Sequence, residues 1–270
     1  MTAAEEPARL VRLGIRVRAE QAETALADLL PVLCGGAEER DLGGAVEYAI
    51  YGPPGELPPP EAIRALAGDA LLGTVEEPVR EGWDRRYLEH LRPIQAGRFT
   101  IRAPWLDGAP DDLIIDPGTA FGAGTHPTTR LCLELLCELE PRGALADWGS
   151  GSGVLAVAAA RLGFGPVHAS ELDPAALPVI EANAAANGVA LTAATADLTA
   201  AGGAAMAPTV TANLTAALHP LVAATLGSAR PARLIASGLL VRDAPSAATA
   251  YGMRELDRRT EGDWAAVLLG

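Results

Sequence analysis

From Ala144 onward the chain alternates short apolar runs with helical ones, and that alternation limits the fold more than any other feature. Ala144 to Asp147, Val167 to Glu171, Leu191 to Ala196, Val210 to Asn213 and Arg233 to Ser237 have the length and apolar content of buried strands. Between them, Val154 to Leu162, Ala175 to Asn187, Ala216 to Leu226 and Ala244 to Tyr251 have helical spacing. Strands joined by helices need crossover connections. The pattern therefore predicts an α/β fold with a doubly wound, mostly parallel sheet and helices on both faces. Two last strands, near Met253 to Asp257 and Trp264 to Leu269, bring the count to seven and suit a sheet that ends antiparallel.

The N-terminal part reads differently. Leu10 to Arg18 alternates apolar and polar residues, as a strand does. Glu20 to Leu33 has helical spacing and closes on Gly35-Gly36; Val46 to Tyr51 is a second strand, Glu61 to Ala67 a short helix and Leu72 to Val75 a third strand. This small α/β unit, expected to be ferredoxin-like, occupies residues 1–77. Residues 78–96 form a charged linker with Trp83, Tyr87 and Leu91 at helical spacing. The large domain runs over 97–270 and opens with strands at Arg98 to Ala103 and Leu113 to Ile115.

Composition narrows the partners. Of the 270 residues 49% are hydrophobic, enough for a core, but only 4% are aromatic, so Ala, Val and Leu must fill it. A formal net charge of -13 disfavours direct nucleic-acid binding, which needs clustered Lys and Arg. The acidity fits either attraction of a basic protein substrate or simple solubility. Cys34, Cys132 and Cys137 form no Cys-x-x-Cys pair, so neither a disulfide framework nor a metal site is expected. The acidic start lacks the basic-then-apolar run of a signal peptide, and no apolar stretch has spanning length. The expectation is a cytoplasmic monomer away from the membrane.

The densest site signal is Asp147-Trp148-Gly149-Ser150-Gly151-Ser152-Gly153. An apolar strand ends in an acid, a glycine turn follows, and a helix begins. Ligands of open α/β sheets bind beyond the carboxyl ends of the strands, and glycines let a ligand approach the backbone. Asp147 is suited to anchor a cationic amino group, directly or through water. The dinucleotide fingerprint Gly-x-Gly-x-x-Gly needs a glycine at Val154, so the spacing disfavours nicotinamide.

Three further elements surround this turn. Glu171 follows Gly149 by 22 residues, near the spacing of about 20 at which an acid meets ribose hydroxyls. Its carboxylate can accept from both hydroxyls of a vicinal diol. Asp173 before Pro174 reads as a helix cap, and Asp197 as either an acceptor for an adenine amino group or a loop acid. Asp116 to Thr129 is a loop dense in Gly, Thr and His before a helix from Thr128 to Leu139, and His126 within it is a candidate catalytic residue. Asn213, at the end of the fourth strand, offers both a donor and an acceptor and is the second catalytic candidate.

Together these motifs resemble those of the PrmA family, methyltransferases of large-subunit ribosomal protein number eleven. The resemblance runs from about Trp83 to the C-terminus and is strongest from Asp116 to Asn213. It rests on Ala120-Phe121-Gly122-Ala123-Gly124-Thr125-His126-Pro127-Thr128-Thr129, on the cradle Asp147 to Gly153, on Asn183 to Val189 and on Ala212-Asn213-Leu214-Thr215. The Thr-His-Pro-Thr-Thr run is the most specific, since other methyltransferases lack it. Departures are Ala123 for Thr, Ser150 for Cys and Glu171 for the usual Asp. The resemblance implies a class I methyltransferase sheet and S-adenosylmethionine as cofactor. Thr129, Gly149, Glu171 and Asn213 are then cofactor contacts, with Phe121, Thr125, His126, Asp147 and Gly151 beside them. Asn213 is placed to hold the methionine end or to orient the accepting amine. The resemblance also implies a basic ribosomal protein as substrate, bound by residues 1–77 and methylated on lysine side chains and the N-terminal amine.

Rival readings differ in class. Methylation of bases or glutamine amides typically goes with Asn-Pro-Pro-Tyr at the fourth strand, and Asn213-Leu214-Thr215-Ala216 lacks its prolines and aromatic ring. A class I methyltransferase with another acceptor, or a binding protein that kept the fold without the reaction, stays open at this point.

Overall fold

The computed structural model describes residues 11–33, 37–52, 57–78, 92–116, 124 and 126–270. The chain divides into two compact units, Met1–His90 and Leu91–Gly270. The stretch expected to be a linker helix lies mostly outside the described residues.

In the first unit the order is β1 (Val11–Arg18), α1 (Ala22–Leu29), β2 (Glu38–Asp41), β3 (Ala45–Gly52), α2 (Pro60–Ala67) and β4 (Leu71–Pro78). The sheet order is β2-β3-β1-β4 with every neighbour antiparallel, which is the ferredoxin-like arrangement. Leu13, Ile15 and Val17 alternate along β1 and are buried, as are Val46, Tyr48 and Ile50 opposite them. The Tyr48 hydroxyl donates to Ala22 O at 3.0 Å, tying this face to α1. On the other face Arg12 and Arg16 hold the buried Glu47 carboxylate at 2.6 and 2.7 Å. Burial pushes that carboxyl up, but the two guanidinium groups outweigh it and leave it below its ordinary value. Gly14 makes room for the pair, since a Cβ there would lie 2.9 Å from Glu47 Cδ. Strand β2 was not expected. Its sequence, Glu38-Glu39-Arg40-Asp41, has no apolar alternation, and it exists because Gly43 and Gly44 turn the chain back onto β3.

The second unit opens with a three-stranded sheet of β5 (Ile94–Ala96), β6 (Phe99–Arg102) and β7 (Leu113–Ile114). The main sheet follows: α3 (Pro127–Glu138), β8 (Leu145–Trp148), α4 (Val154–Leu162), β9 (Val167–Glu171), α5 (Leu177–Ala186), β10 (Thr192–Thr195), β11 (Thr209–Asn213), α6 (Leu218–Thr225), β12 (Arg233–Leu240), α7 (Ala244–Tyr251), β13 (Glu255–Glu261) and β14 (Trp264–Leu269). Its order is β10-β9-β8-β11-β12-β14-β13. The first five strands are parallel, and β14 pairs antiparallel with both β12 and β13.

Alternation along the strands covers both faces. Ala265, Val267 and Leu269 of β14 pack in one core with Tyr251 of α7, Val222 of α6 and Trp148 of β8. Trp264, on the opposite side of β14, meets the ring of His126 at the start of α3. Strand order reverses at β8, which lies between β9 and β11, so β8 carries the topological switch point where α/β sheets bind ligands. At the far edge, Arg259 of β13 pairs with Glu138 of α3 and Arg130 of α3 pairs with Glu261. Such charges also blunt an edge strand against pairing with another chain. Among the described residues no helix is long and apolar enough to cross a membrane.

Candidate active site

The glycine turn closes β8 as its residue types demand. Gly149, Gly151 and Gly153 have φ of 71°, 54° and 80°, values that L side chains rarely adopt. The N–H groups of Gly149 and Ser150 donate to Ser170 O of β9 at 2.8 and 3.0 Å, so the turn stays locked to the neighbouring strand. Gly153 then caps α4. A Cβ on Gly149 would lie 2.5 Å from Leu214 Cδ2, and one on Gly153 3.0 Å from Ile180 Cγ2. The absent side chains thus let the end of β11 and helix α5 close on the turn.

Asp147 lies beneath this cradle, 1% exposed. One carboxylate oxygen accepts from Thr211 Oγ at 2.6 Å, while Oδ2 is buried and meets no hydrogen-bond donor among the described residues. Burial drives its pKa to about 6, the Thr211 hydroxyl opposing and the Glu171 charge adding to the rise. A buried acceptor left in this way costs about 1–3 kcal/mol unless a donor meets it. The arrangement suits a cationic N–H donor.

Glu171 ends β9 with its carboxylate turned onto the backbone. Oε2 accepts from Gly151 N at 2.8 Å, and Oε1 accepts from Leu172 N at 2.8 Å and Asp173 N at 3.3 Å. A carboxylate has about four acceptor positions, so receiving both hydroxyls of a diol requires it to release at least one of these bonds. Asp173 caps the next turn through Ala175 N at 2.8 Å, as its position before Pro174 predicts. Asp197 is exposed and turns its Oδ1 onto the N–H and hydroxyl of Thr199, which lower its pKa.

Asn213, at the tip of β11, donates from Nδ2 to Thr129 Oγ at 3.3 Å. Two residues far apart in sequence are therefore brought together at the mouth of the cradle. Thr129 is buried in the first turn of α3, and Ser237 Oγ of β12 donates to Thr128 O beside it at 3.1 Å. His126 is the N-cap of α3: its Nδ1 accepts from Thr128 N at 3.3 Å and lies 2.8 Å from Thr128 Oγ. Burial lowers its pKa to about 4, Arg130 reinforcing the shift and Glu261 opposing it. At neutral pH the ring is uncharged and serves as a cap. Phe121 and Thr125 lie outside the described residues.

Three participants were not singled out as site residues in the sequence, although Asn183 begins one of the motifs of the resemblance. Thr211 reaches Asp147 only because β11 lies beside β8. Gly238, at φ 80°, forms the bulge of β12 that Leu214 O approaches too closely for any Cβ. Asn183 of α5 donates to Ser152 O in the cradle. Among the described residues no group of three His, Cys, Asp or Glu side chains could hold a metal ion. Cys132 is buried, and its thiol is pushed up to about 12 by that burial, so it is unreactive.

Residues 63–269 match the family described as ribosomal protein L11 methyltransferase (PrmA). The chain belongs to this family. The ribosomal protein L11 methyltransferase of Pelotomaculum thermopropionicum is 39% identical over 225 residues, which are 76% of this chain and 70% of that one. Its counterpart in Thermus thermophilus is 38% identical over 206 residues, 73% of this chain and 81% of that one. Among solved structures, the ribosomal protein L11 methylase of Lactobacillus delbrueckii subsp. bulgaricus is 25% identical with a TM-score of 0.57, covering 67% of this chain and 97% of that one. The tRNA (uracil-54, C5)-methyltransferase of Pyrococcus abyssi, solved with S-adenosyl-L-homocysteine, is 18% identical at a TM-score of 0.50 over 60% of this chain and 43% of that one. That likeness shows the class I methyltransferase fold alone. The L11 methyltransferase match begins inside α2, so most of the ferredoxin-like unit lies outside it.

Proposed function

We propose that this protein transfers methyl groups from S-adenosylmethionine to ribosomal protein L11, on lysine side chains and the N-terminal amine, repeating the transfer at one nitrogen. Family membership supports the acceptor. The observation that carries the cofactor is Asp147 Oδ2, a buried carboxylate oxygen without a partner among the described residues, beneath a glycine turn at the switch point of the sheet. The residues fit the group: an acid for its ammonium, a turn whose three glycines carry no side chain, Glu171 for its ribose, and Thr129 with Asn213 at the mouth. We further assign residues 1–77 to substrate recognition, 78–96 to a linker and 97–270 to catalysis. Among the described residues Cys132 and Cys137 are free thiols, which supports a reducing cytoplasm.

When bound, the cofactor supplies an electrophilic sulfonium methyl. The chain's own task is placement. Asp147 would hold the amino end, Glu171 the sugar and the Asn213–Thr129 pair the rim, so that proximity and orientation would carry much of the rate. The acceptor must arrive as a neutral amine. An α-amine, with a pKa of roughly 8, loses its proton more readily than lysine at roughly 10.4. A partly dry site lowers both by disfavouring the ammonium. His126, neutral and committed to the cap, is not needed as a base.

The test is mass spectrometry of L11 after incubation with enzyme and S-adenosylmethionine, paired with calorimetry of the cofactor alone. Methyl increments on lysine or the N-terminal amine are expected. Cofactor binding without increments overturns the acceptor, and no cofactor binding overturns the enzyme reading itself.

A further inference from the structure

Helix α5 presents two asparagines one turn apart, Asn183 and Asn187, both buried. Their carboxamides pair with the backbone of the chain leaving β7. Asn187 Oδ1 accepts from Ile114 N at 3.0 Å and its Nδ2 donates to Ile114 O at 2.6 Å. Asn183 repeats this two residues on, accepting from Asp116 N at 2.8 Å and donating to Asp116 O at 2.9 Å. One helical turn advances about 5.4 Å and two strand residues about 6.7 Å, close enough for the spacings to match. The two side chains thus replace a neighbouring strand along the edge of β7 that β6 does not cover.

The asparagines differ in where their second N–H goes. Asn187 Nδ2 donates to Asn183 O within its own helix, at 2.7 Å. Asn183 Nδ2 donates to Ser152 O at 2.9 Å, in the glycine cradle. A single carboxamide therefore joins the peptide between Gly151 and Gly153 to Asp116, ten residues before the His126 cap. Gly151 N, one residue from that anchored peptide, is one of the three main-chain donors that hold the Glu171 carboxylate. All three hydrogen-bonding positions of Asn183 engaged here point at main chain, so its job concerns where backbone lies.

We propose that Asn183 is a positioning residue for the cofactor cradle, holding the Ser152 peptide so that the turn meets its ligand preformed, whereas Asn187 serves the β7 edge and the end of its own helix. This rests on the cofactor reading above. Asn187 supplies the control, because it makes the same pair of bonds to β7 and none to the cradle.

The experiment compares Asn183→Leu and Asn187→Leu, with Asn183→Ser as the milder change should Asn183→Leu not fold. Each is measured by thermal unfolding without ligand and by calorimetry with S-adenosylhomocysteine, which binds but cannot react. Both leucine variants are expected to unfold at lower temperature. Only changes at Asn183 are expected to weaken binding, by about tenfold or more, while Asn187→Leu stays within about twofold of wild type. In turnover, Asn183→Ser is expected to raise the cofactor KM more than it lowers kcat. Equal affinities for the two positions, or an Asn183 variant that binds as wild type does, overturn the assignment. Failure of the wild-type protein to bind S-adenosylhomocysteine instead overturns the cofactor reading on which it rests.

Discussion

At Asp147 the chain keeps a carboxylate where water cannot reach it. Its pKa, raised from 3.8 to about 6, corresponds to roughly 3 kcal/mol of stability present at low pH. A raised acid stabilises the fold below its unfolded pKa and loses that contribution as pH climbs to the folded value. The loss therefore falls between about pH 4 and pH 6, and is complete at pH 8. Asp147→Asn removes the buried charge. The ligand-free variant is expected to melt about 6–12 °C above wild type at pH 8 and to lose this advantage near pH 4. Its affinity for S-adenosylmethionine is expected to drop about tenfold or more. Melting below wild type at pH 8 would show that the carboxylate is not a strained group held for a ligand. Gly149→Val acts differently: it needs φ near 71° and drives a side chain onto Leu214. Calorimetry should find no cofactor binding, and urea unfolding a stability loss of about 1–3 kcal/mol. Asp147, Gly149, Glu171 and Asn213 were legible because each ends a strand or makes a turn, positions that local sequence reveals. Thr211 was not, and Asn183 stood only as the first residue of a motif without a role, since their partners are distant in sequence and are met only once the sheet is assembled.

Helix α3 shows how an element can account for a residue that looks catalytic. His126 precedes Pro127 at the first helical position, and its Nδ1 meets Thr128 N. Asparagine is also a strong cap, so His126→Asn is expected to hold kcat within about threefold, whereas His126→Leu should cost about 1 kcal/mol of stability. Denaturation and initial rates on the two variants check this. A large loss of kcat in His126→Asn with stability intact would give the imidazole a chemical role. Because its pKa is about 4, the wild-type pH–rate profile should show no inflection from it between pH 6 and 8. Elements followed the same division as residues. The parallel strands β8, β9, β11 and β12 are mostly buried on both faces, and their short runs rich in apolar residues stood out. Charged β2 and three-residue β5 did not, because what makes them strands is main-chain pairing with β3 and β6. Strand β13 begins at Glu255 and runs to Glu261, beyond the expected Asp257, because its main chain pairs with β14 as far as Trp264.

For the molecule as a whole, the decisive property is the net charge of -13. Charge of that size adds nothing to the fold, and by self-repulsion works slightly against it, but it draws in a basic partner from beyond contact distance. The methyl donor carries little net charge and enters a cradle whose contacts are short-ranged, so the two binding steps should respond differently to salt. Screening shortens the Debye length from about 10 Å at 0.1 M to about 3 Å at 1 M. The expected result is a KM for L11 that rises severalfold between low salt and 0.5 M, with kcat and the S-adenosylmethionine Kd nearly constant. Initial-rate kinetics over an ionic-strength series, with calorimetry of the cofactor at the same points, measure both. A salt-independent KM would reduce the acidity to a matter of solubility. A parallel rise in the cofactor Kd would instead mean that salt acts on the cradle itself, through the buried charge of Asp147 and its neighbour Glu171.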